Sequence, residues 1–401
     1  MPDELYEQML SLHEQGETTA ALDELIASLR REQRWHKLFD ARMLRRKAEL
    51  GLPVSRPAAL QDVPQDRRKE VEEAYVEAAR EVGREFLTAG DIPSAWMYLQ
   101  VIREPDLVRD AIEALSIPSH PDESSEQVMR IALFEGVHPT KGLQMMLKLH
   151  GPCSSITSLD QALGNLPQEA RQECAGLMVR ELYGDLKDSL EREVQQKLAM
   201  LPPGLSLREL IAGRDWLFEG GNYHIDVSHL NSVVRFARSV ENPDDLKLAL
   251  ELAEYGTRLD PLLQYGGDPP FDDFYPAHLQ FFKVLLDQDR DEALKFFRDK
   301  LEQEPDERDK PLLAYVLVDL LVRVGRSDEA VDLAAQYLTR LSDDVTLSFF
   351  DLCVESGRFA TLREIMQTNE DPVGYAAALV SAAREPSDAK GASTGGNPPA
   401  P

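Results

Sequence analysis

Residues 71–102 read Val-Glu-Glu-Ala-Tyr-Val-Glu-Ala-Ala-Arg-Glu-Val-Gly-Arg-Glu-Phe-Leu-Thr-Ala-Gly-Asp-Ile-Pro-Ser-Ala-Trp-Met-Tyr-Leu-Gln-Val-Ile. Ala74, Ala78, Val82 and Phe86 fall four apart, which puts them on one face of an α-helix. Gly90 follows at the point where a left-handed residue ends a helix and turns the chain. Ala95, Tyr98, Leu99 and Ile102 then form a second stripe. The segment is a helical hairpin.

The same design extends in both directions. Toward the N-terminus, Leu5, Met9 and Leu12 form one stripe and Leu22, Leu25, Ile26 and Leu29 another, with Gly16 between them. Toward the C-terminus, Leu313 to Val324 ends at Gly325 and Ala330 to Leu341 follows; Phe349 to Val354 ends at Gly357, with Leu362, Ile365 and Met366 beyond. The interval from Gly325 to Gly357 is close to the roughly 34 residues of one stacked helix-turn-helix unit, and that from Gly16 to Gly90 to two of them. Such units bury their apolar faces only by stacking.

On these residues the chain resembles a tetratricopeptide-repeat protein. Gly83, Phe86, Gly90, Ala95 and Leu99 match that repeat's small, aromatic, turn, small and large positions; Gly325, Ala330 and Tyr337 match again, as do Gly16 and Ala21. The signature Trp is missing, Val318 stands where the first helix has its glycine, and unit lengths vary. The resemblance implies an all-α fold, a right-handed α-solenoid of antiparallel helix pairs, and mediation of protein assembly. The expected organisation is TPR-like repeats over 1–116, an irregular helical centre over 117–240 with a loop at 215–228, further repeats over 241–384, and a disordered tail over 385–401. In the centre, Ser124 to Phe134, Thr140 to Leu149 and Pro167 to Tyr183 read as helices, broken at Ile117–Pro121, Gly151-Pro152 and Leu201–Gly204. Ser228 is the expected cap of a helix from His229 to Val240, and helical pairs are expected over Asp244–Leu259 and Phe274–Gln303.

Composition narrows the function. With 44 Lys+Arg against 71 Asp+Glu the net charge is −27, a field that repels nucleic acid and anionic lipid. The most apolar run, Pro311 to Val318, is stopped by Asp319 and Arg323, well short of the roughly 20 residues a membrane helix needs. The acidic start Met1-Pro2-Asp3-Glu4 lacks the order of a secretory signal. Cys153, Cys174 and Cys353 form neither a disulfide framework nor a zinc knuckle. These features point to a cytoplasmic protein that binds neither nucleic acid nor membrane.

Several residues are candidates for chemistry or contact. In Glu219-Gly220-Gly221-Asn222-Tyr223-His224-Ile225-Asp226-Val227-Ser228-His229, an extended backbone would put His224 and Asp226 on one side, with His229 able to close on them. Two imidazoles and a carboxylate suit one divalent transition metal ion whose bound water does hydrolytic chemistry. His138, His150, Cys153 and His278 are possible further ligands. The plainer reading is hydrogen-bonded loop histidines and no cofactor. Near Cys153, a Gly-Pro turn followed by Ser/Thr capping of a helix near Leu159 competes with an activated thiol. Arg30 to Lys47 crowds basic residues around Trp35 and Phe39, either to receive an acidic or phosphate-bearing partner or to pair with acidic helices nearby. The acidic loop Gly266–Pro276 offers Phe271 and Phe274 as partner contacts, with Asp272 or Asp273 as a helix cap. The function expected from all this is a scaffold or adaptor that binds a protein or peptide partner with a basic segment; the alternative is a metal-dependent hydrolase built on His224, Asp226 and His229.

Overall fold

The computed structural model describes residues 2–198, 201–264, 266–339 and 348–384. The expected tail 385–401, and the end of the helix expected to reach Leu341, lie outside these. The described residues are all-helical, without a strand. None of their helices is long and apolar enough to cross a membrane.

The chain divides into two compact units, Met1–Cys174 and Ala175–Pro401. The division falls within the segment read as the irregular centre, inside helix α9. The first unit holds α1 (Pro2–Glu14), α2 (Thr18–Arg31), α3 (Trp35–Glu49), α4 (Gln65–Thr88), α5 (Ile92–Leu99), α6 (Pro105–Glu113), α7 (Glu123–Met129), α8 (Pro139–Ala162) and the start of α9 (Gln168–Lys197). Each of α1 to α5 packs on its neighbour in the chain. Leu38, Met43, Val71, Val82, Ala95 and Leu99 form the middle of one core, each fully buried or nearly so. The close approach of α4 to α5 uses Gly83: a Cβ there would lie 2.7 Å from Cγ of Leu99, so a larger residue forces the Leu99 side chain to shift.

The hairpin turn takes the form the glycine implies. The Gly90 amide donates to the Leu87 carbonyl (3.0 Å) and the Asp91 amide to the Phe86 carbonyl (2.9 Å), with Gly90 at φ +79°. This paired closure satisfies two carbonyls that a helix end leaves free. The same two bonds recur at Gly16, Gly51, Gly325 and Gly357, and also at Gln33, Arg103, Asp287 and Glu370, which adopt positive φ without being glycine.

The second unit continues with α10 (Leu207–Ile211), α11 (Val227–Phe236), α12 (Pro243–Arg258), α13 (Phe274–Leu285), α14 (Arg290–Gln303), α15 (Lys310–Arg323), α16 (Ser327–Tyr337), α17 (Phe349–Glu355), α18 (Phe359–Thr368) and α19 (Pro372–Arg384). From α11 to α19 each helix again contacts the next. Asp244–Leu259 is a single helix, α12, rather than a pair.

The centre departs from expectation in identifiable ways. Arg130–Phe134 is a π-turn rather than a continuation of α7. The break expected at Gly151-Pro152 is a kink: Gly151 has φ 78° and ψ 179°, and the helix resumes directly at Pro152, whose missing N–H and fixed φ suit a first turn. Ser155 and Thr157 are therefore inside the helix, donating back to the carbonyls of Gly151 (2.8 Å) and Cys153 (3.1 Å), and cap nothing. The 215–228 loop is two short 3-10 turns, Asp215–Leu217 and Glu219–Gly221, without extended pairing. Helix α11 starts two residues earlier than expected, because its cap is Asp226 and not Ser228.

Candidate functional site

The first unit contains a groove of about 400 Å³ between α3 and α4. Helix α3 turns Trp35, Leu38, Phe39 and Met43 into the core, which leaves Arg42, Arg45 and Arg46 on the opposite side by their three-and-four spacing. Helix α4 does the same with opposite charge: Val71, Ala78, Ala79 and Val82 face inward, and Glu70, Glu73, Glu77 and Glu81 line the groove with Glu49. Ala74 and Ala78 are the small residues between them.

Most of the guanidiniums are already engaged. Arg42 holds Glu81 in a fork, Nε to Oε2 at 2.8 Å and Nη2 to Oε1 at 3.1 Å, and Arg30 reaches the same carboxylate. Burial alone would raise the Glu81 carboxyl, but the bonds from Arg42 and Arg30 outweigh it and hold it below its ordinary value. Arg45 contacts Asp23 (2.6 Å) and Glu49 (2.8 Å), and Arg46 contacts Glu49 and Glu70, both at 3.2 Å. The basic run Arg30–Lys47 thus pairs with acidic helices beside it. The acidic wall keeps spare capacity: Glu73 has only the distant, exposed Lys69 at 3.9 Å, and Glu77, exposed one turn on, makes no ion pair or hydrogen bond among the described residues.

The sequence-derived ligand set is not assembled. The His224 side chain is 2% exposed, its amide donates to the Tyr255 hydroxyl at 2.9 Å and its Nδ1 lies 3.0 Å from the same oxygen. Nε2 stands 2.9 Å from Glu193 Oε2. Burial lowers the His224 pKa and Glu193 pulls the other way. Asp226 is occupied as the cap of α11, accepting from the amides of Ser228 (2.8 Å) and His229 (3.2 Å) and from the Ser228 hydroxyl (2.5 Å). Among the described residues no three His, Cys, Asp or Glu side chains converge as a metal ion requires.

The further ligand candidates are dispersed into separate contacts. His138 pairs with Glu113 (2.9 Å) and His150 with Glu126 (2.8 Å). Cys153 is exposed. His278 is fully buried; its Nδ1 donates to the Phe274 carbonyl at 2.7 Å, and burial drives its pKa down to about 3. The aromatic contact candidates are core residues, since Trp35, Phe271 and Phe274 are all buried. Phe271 and Phe274 pack at a tilt against the His278 ring, at 4.4 and 4.3 Å between centroids. Asp273 caps α13 by position but without a side-chain cap bond; it and Asp272 face Lys300. The residues missed from the sequence are Glu70, Glu73, Glu77 and Glu81, whose three-four-four spacing is legible as one acidic helix face.

No protein-family model matches this chain, and no curated protein or solved structure matches it significantly.

Proposed function

We propose that this chain is a protein-interaction module, a TPR-like stack of helix pairs that holds a basic segment of a partner in the α3–α4 groove. The observation that carries the reading is the groove itself: five carboxylates and three guanidiniums line it, and the guanidiniums are engaged while Glu73 meets only the exposed Lys69 at 3.9 Å and Glu77 makes no ion pair or hydrogen bond among the described residues. A lysine or arginine of the partner would place its stem on Ala74 and Ala78 and its charge between those two carboxylates. The recurrent paired closure of helix ends and the packing of chain neighbours over α1–α6 and over α11–α19 support the solenoid, and the free cysteines accord with a cytoplasmic place.

The test is fluorescence anisotropy with a Lys/Arg-rich peptide of about ten residues and an acidic control of equal length. The basic peptide should bind and weaken steeply as salt is raised. The Glu73→Lys/Glu77→Lys variant should lose at least about tenfold, on the order expected for reversing two contact charges. Equal binding of both peptides, absence of binding by the basic one, or an affinity indifferent to the reversal would overturn the reading.

A further inference from the structure

We propose that helix α19 is a self-association surface on which two copies of this chain pair in antiparallel orientation. From Pro372 to Ala383 the helix carries no charged side chain. Val373, Ala376, Val380 and Ala383 recur at three-four-three spacing along one face. Val373 is 77% exposed and Val380 51%, and the adjacent Leu379 is 48% exposed. The opposite side is used internally: Ala378 is fully buried, and α19 packs on α17 and α18. Water-exposed valine and leucine on an uncharged helix are unusual for a chain with a net charge of −27.

Charge decides the occupant and its direction. Two such acidic chains repel one another over most of their surfaces, and a face without charge is where they can approach. The ends of the helix are of opposite sign: Glu370 and Asp371 precede it and Arg384 lies in its last turn. Asp371 caps α19, accepting from the amides of Val373 (3.0 Å) and Gly374 (2.9 Å). Antiparallel pairing sets Arg384 of each copy opposite Glu370 and Asp371 of the other, whereas parallel pairing sets like against like. Ala376 and Ala383 leave room for close approach. Residues 385–401 contain no Leu, Ile, Val, Met or aromatic residue, so they offer no apolar counterpart to this face.

The contact is one helix about 20 Å long on each side, small for a stable interface, so the dimer is weak, with a dissociation constant on the order of 10–100 µM. Sedimentation equilibrium of the full chain tests this, from about 5 to about 500 µM at low and at high salt. A monomer–dimer equilibrium is expected, strengthened by salt because the overall repulsion is screened. Val373→Glu/Val380→Glu should weaken it at least about tenfold. Glu370→Lys and Arg384→Glu should each weaken it about threefold or more, and combining the two should recover part of the loss, since residue 384 still faces Asp371; this pair keeps the test sharp even where the double glutamate variant fails to fold. A monomer at every concentration, a dimer indifferent to these changes, or growth beyond dimers as in head-to-tail stacking would each overturn the proposal.

Discussion

Two kinds of connection hold these helices together, and they differ in what enforces them. At Gly90, Gly325 and their counterparts the backbone closes the helix end with its own amides. The longer connections after α3, beyond the Gly51 closure, and before α11 rely in addition on side chains, above all one buried ionisable group each. Lys47, 2% exposed, extends its Nζ to the carbonyls of Arg56 (2.8 Å) and Ala59 (2.6 Å). His224 is gripped by Tyr255 through its amide and ring, while Arg258 contacts Asp215 and Lys197 lies 3.8 Å over the Trp216 ring. Backbone closure is local and nearly independent of side chain and pH. Side-chain closure concentrates the same task in one group, and so is vulnerable to one substitution or one proton.

The largest consequence concerns Lys47. Burial lowers its pKa, against the pull of Asp62, yet the amine stays because two carbonyls depend on it. Lys47→Met keeps much of the stem and removes the donor, leaving the Ala59 carbonyl without it and the Arg56 carbonyl with only the Ala59 amide at 3.2 Å. The expected loss is roughly 1–3 kcal/mol, the cost of one polar group left without its donor, read as the urea midpoint followed by hydrogen exchange in residues 35–104. A loss below about 0.5 kcal/mol, within the range of neutral surface changes, would show that the Arg56–Asp62 contact at 2.6 Å holds the loop unaided.

Acid should separate the two units next. His224 and His278 both have pKa values depressed by burial, so folding excludes a proton that the unfolded chain binds below about 6.5. Their contribution is fully present above that value and is lost as pH falls toward the folded values. Between about pH 7.5 and 5.5 the second unit should lose roughly 1–2 kcal/mol. In the first unit Glu81 and Glu104, whose depression comes from arginine partners, hold until the carboxylate range below about 4.5. Hydrogen exchange at the two pH values, compared between residues 35–104 and 227–303 after correction for intrinsic rates, reads the difference. Equal weakening of both segments would erase the contrast.

The backbone closures are the part legible in the sequence, and only where glycine marks them. Gly16, Gly90, Gly325 and Gly357 announce their turns because other residues resist positive φ, and the stripes around them announce the helices. Gln33 does not: Arg30 to Lys47 reads as one basic run, although the chain turns inside it. Nor does any local pattern pair His224 with Tyr255 or bury Phe271 against His278, since these contacts join side chains that only the folded backbone brings together. The histidine-rich stretch looks chemical because its residue types are chemical. Folded, Asp226 is absorbed as a helix cap and His224 as a buried strut. The groove is half visible in the sequence: its basic wall stands out as a dense run, whereas its acidic wall is spread over three turns of α4 and resembles ordinary helix surface.

The smallest effect tests the backbone class on its own terms. Gly90 sits at φ +79°, and a Cβ added there would meet nothing within 4 Å, so Gly90→Ala meets only the intrinsic strain of the left-handed region, about 1 kcal/mol. Arg103 makes the same two bonds at φ +58° and already carries that strain. Arg103→Gly relieves it but releases more unfolded-state freedom, so the net gain is at most about 0.5 kcal/mol. Opposite signs at the two positions, read from urea midpoints, are what a shared backbone motif requires. If both changes destabilise alike, the Arg103 side chain contributes to its turn, and that closure belongs with Lys47 and His224 rather than with Gly90.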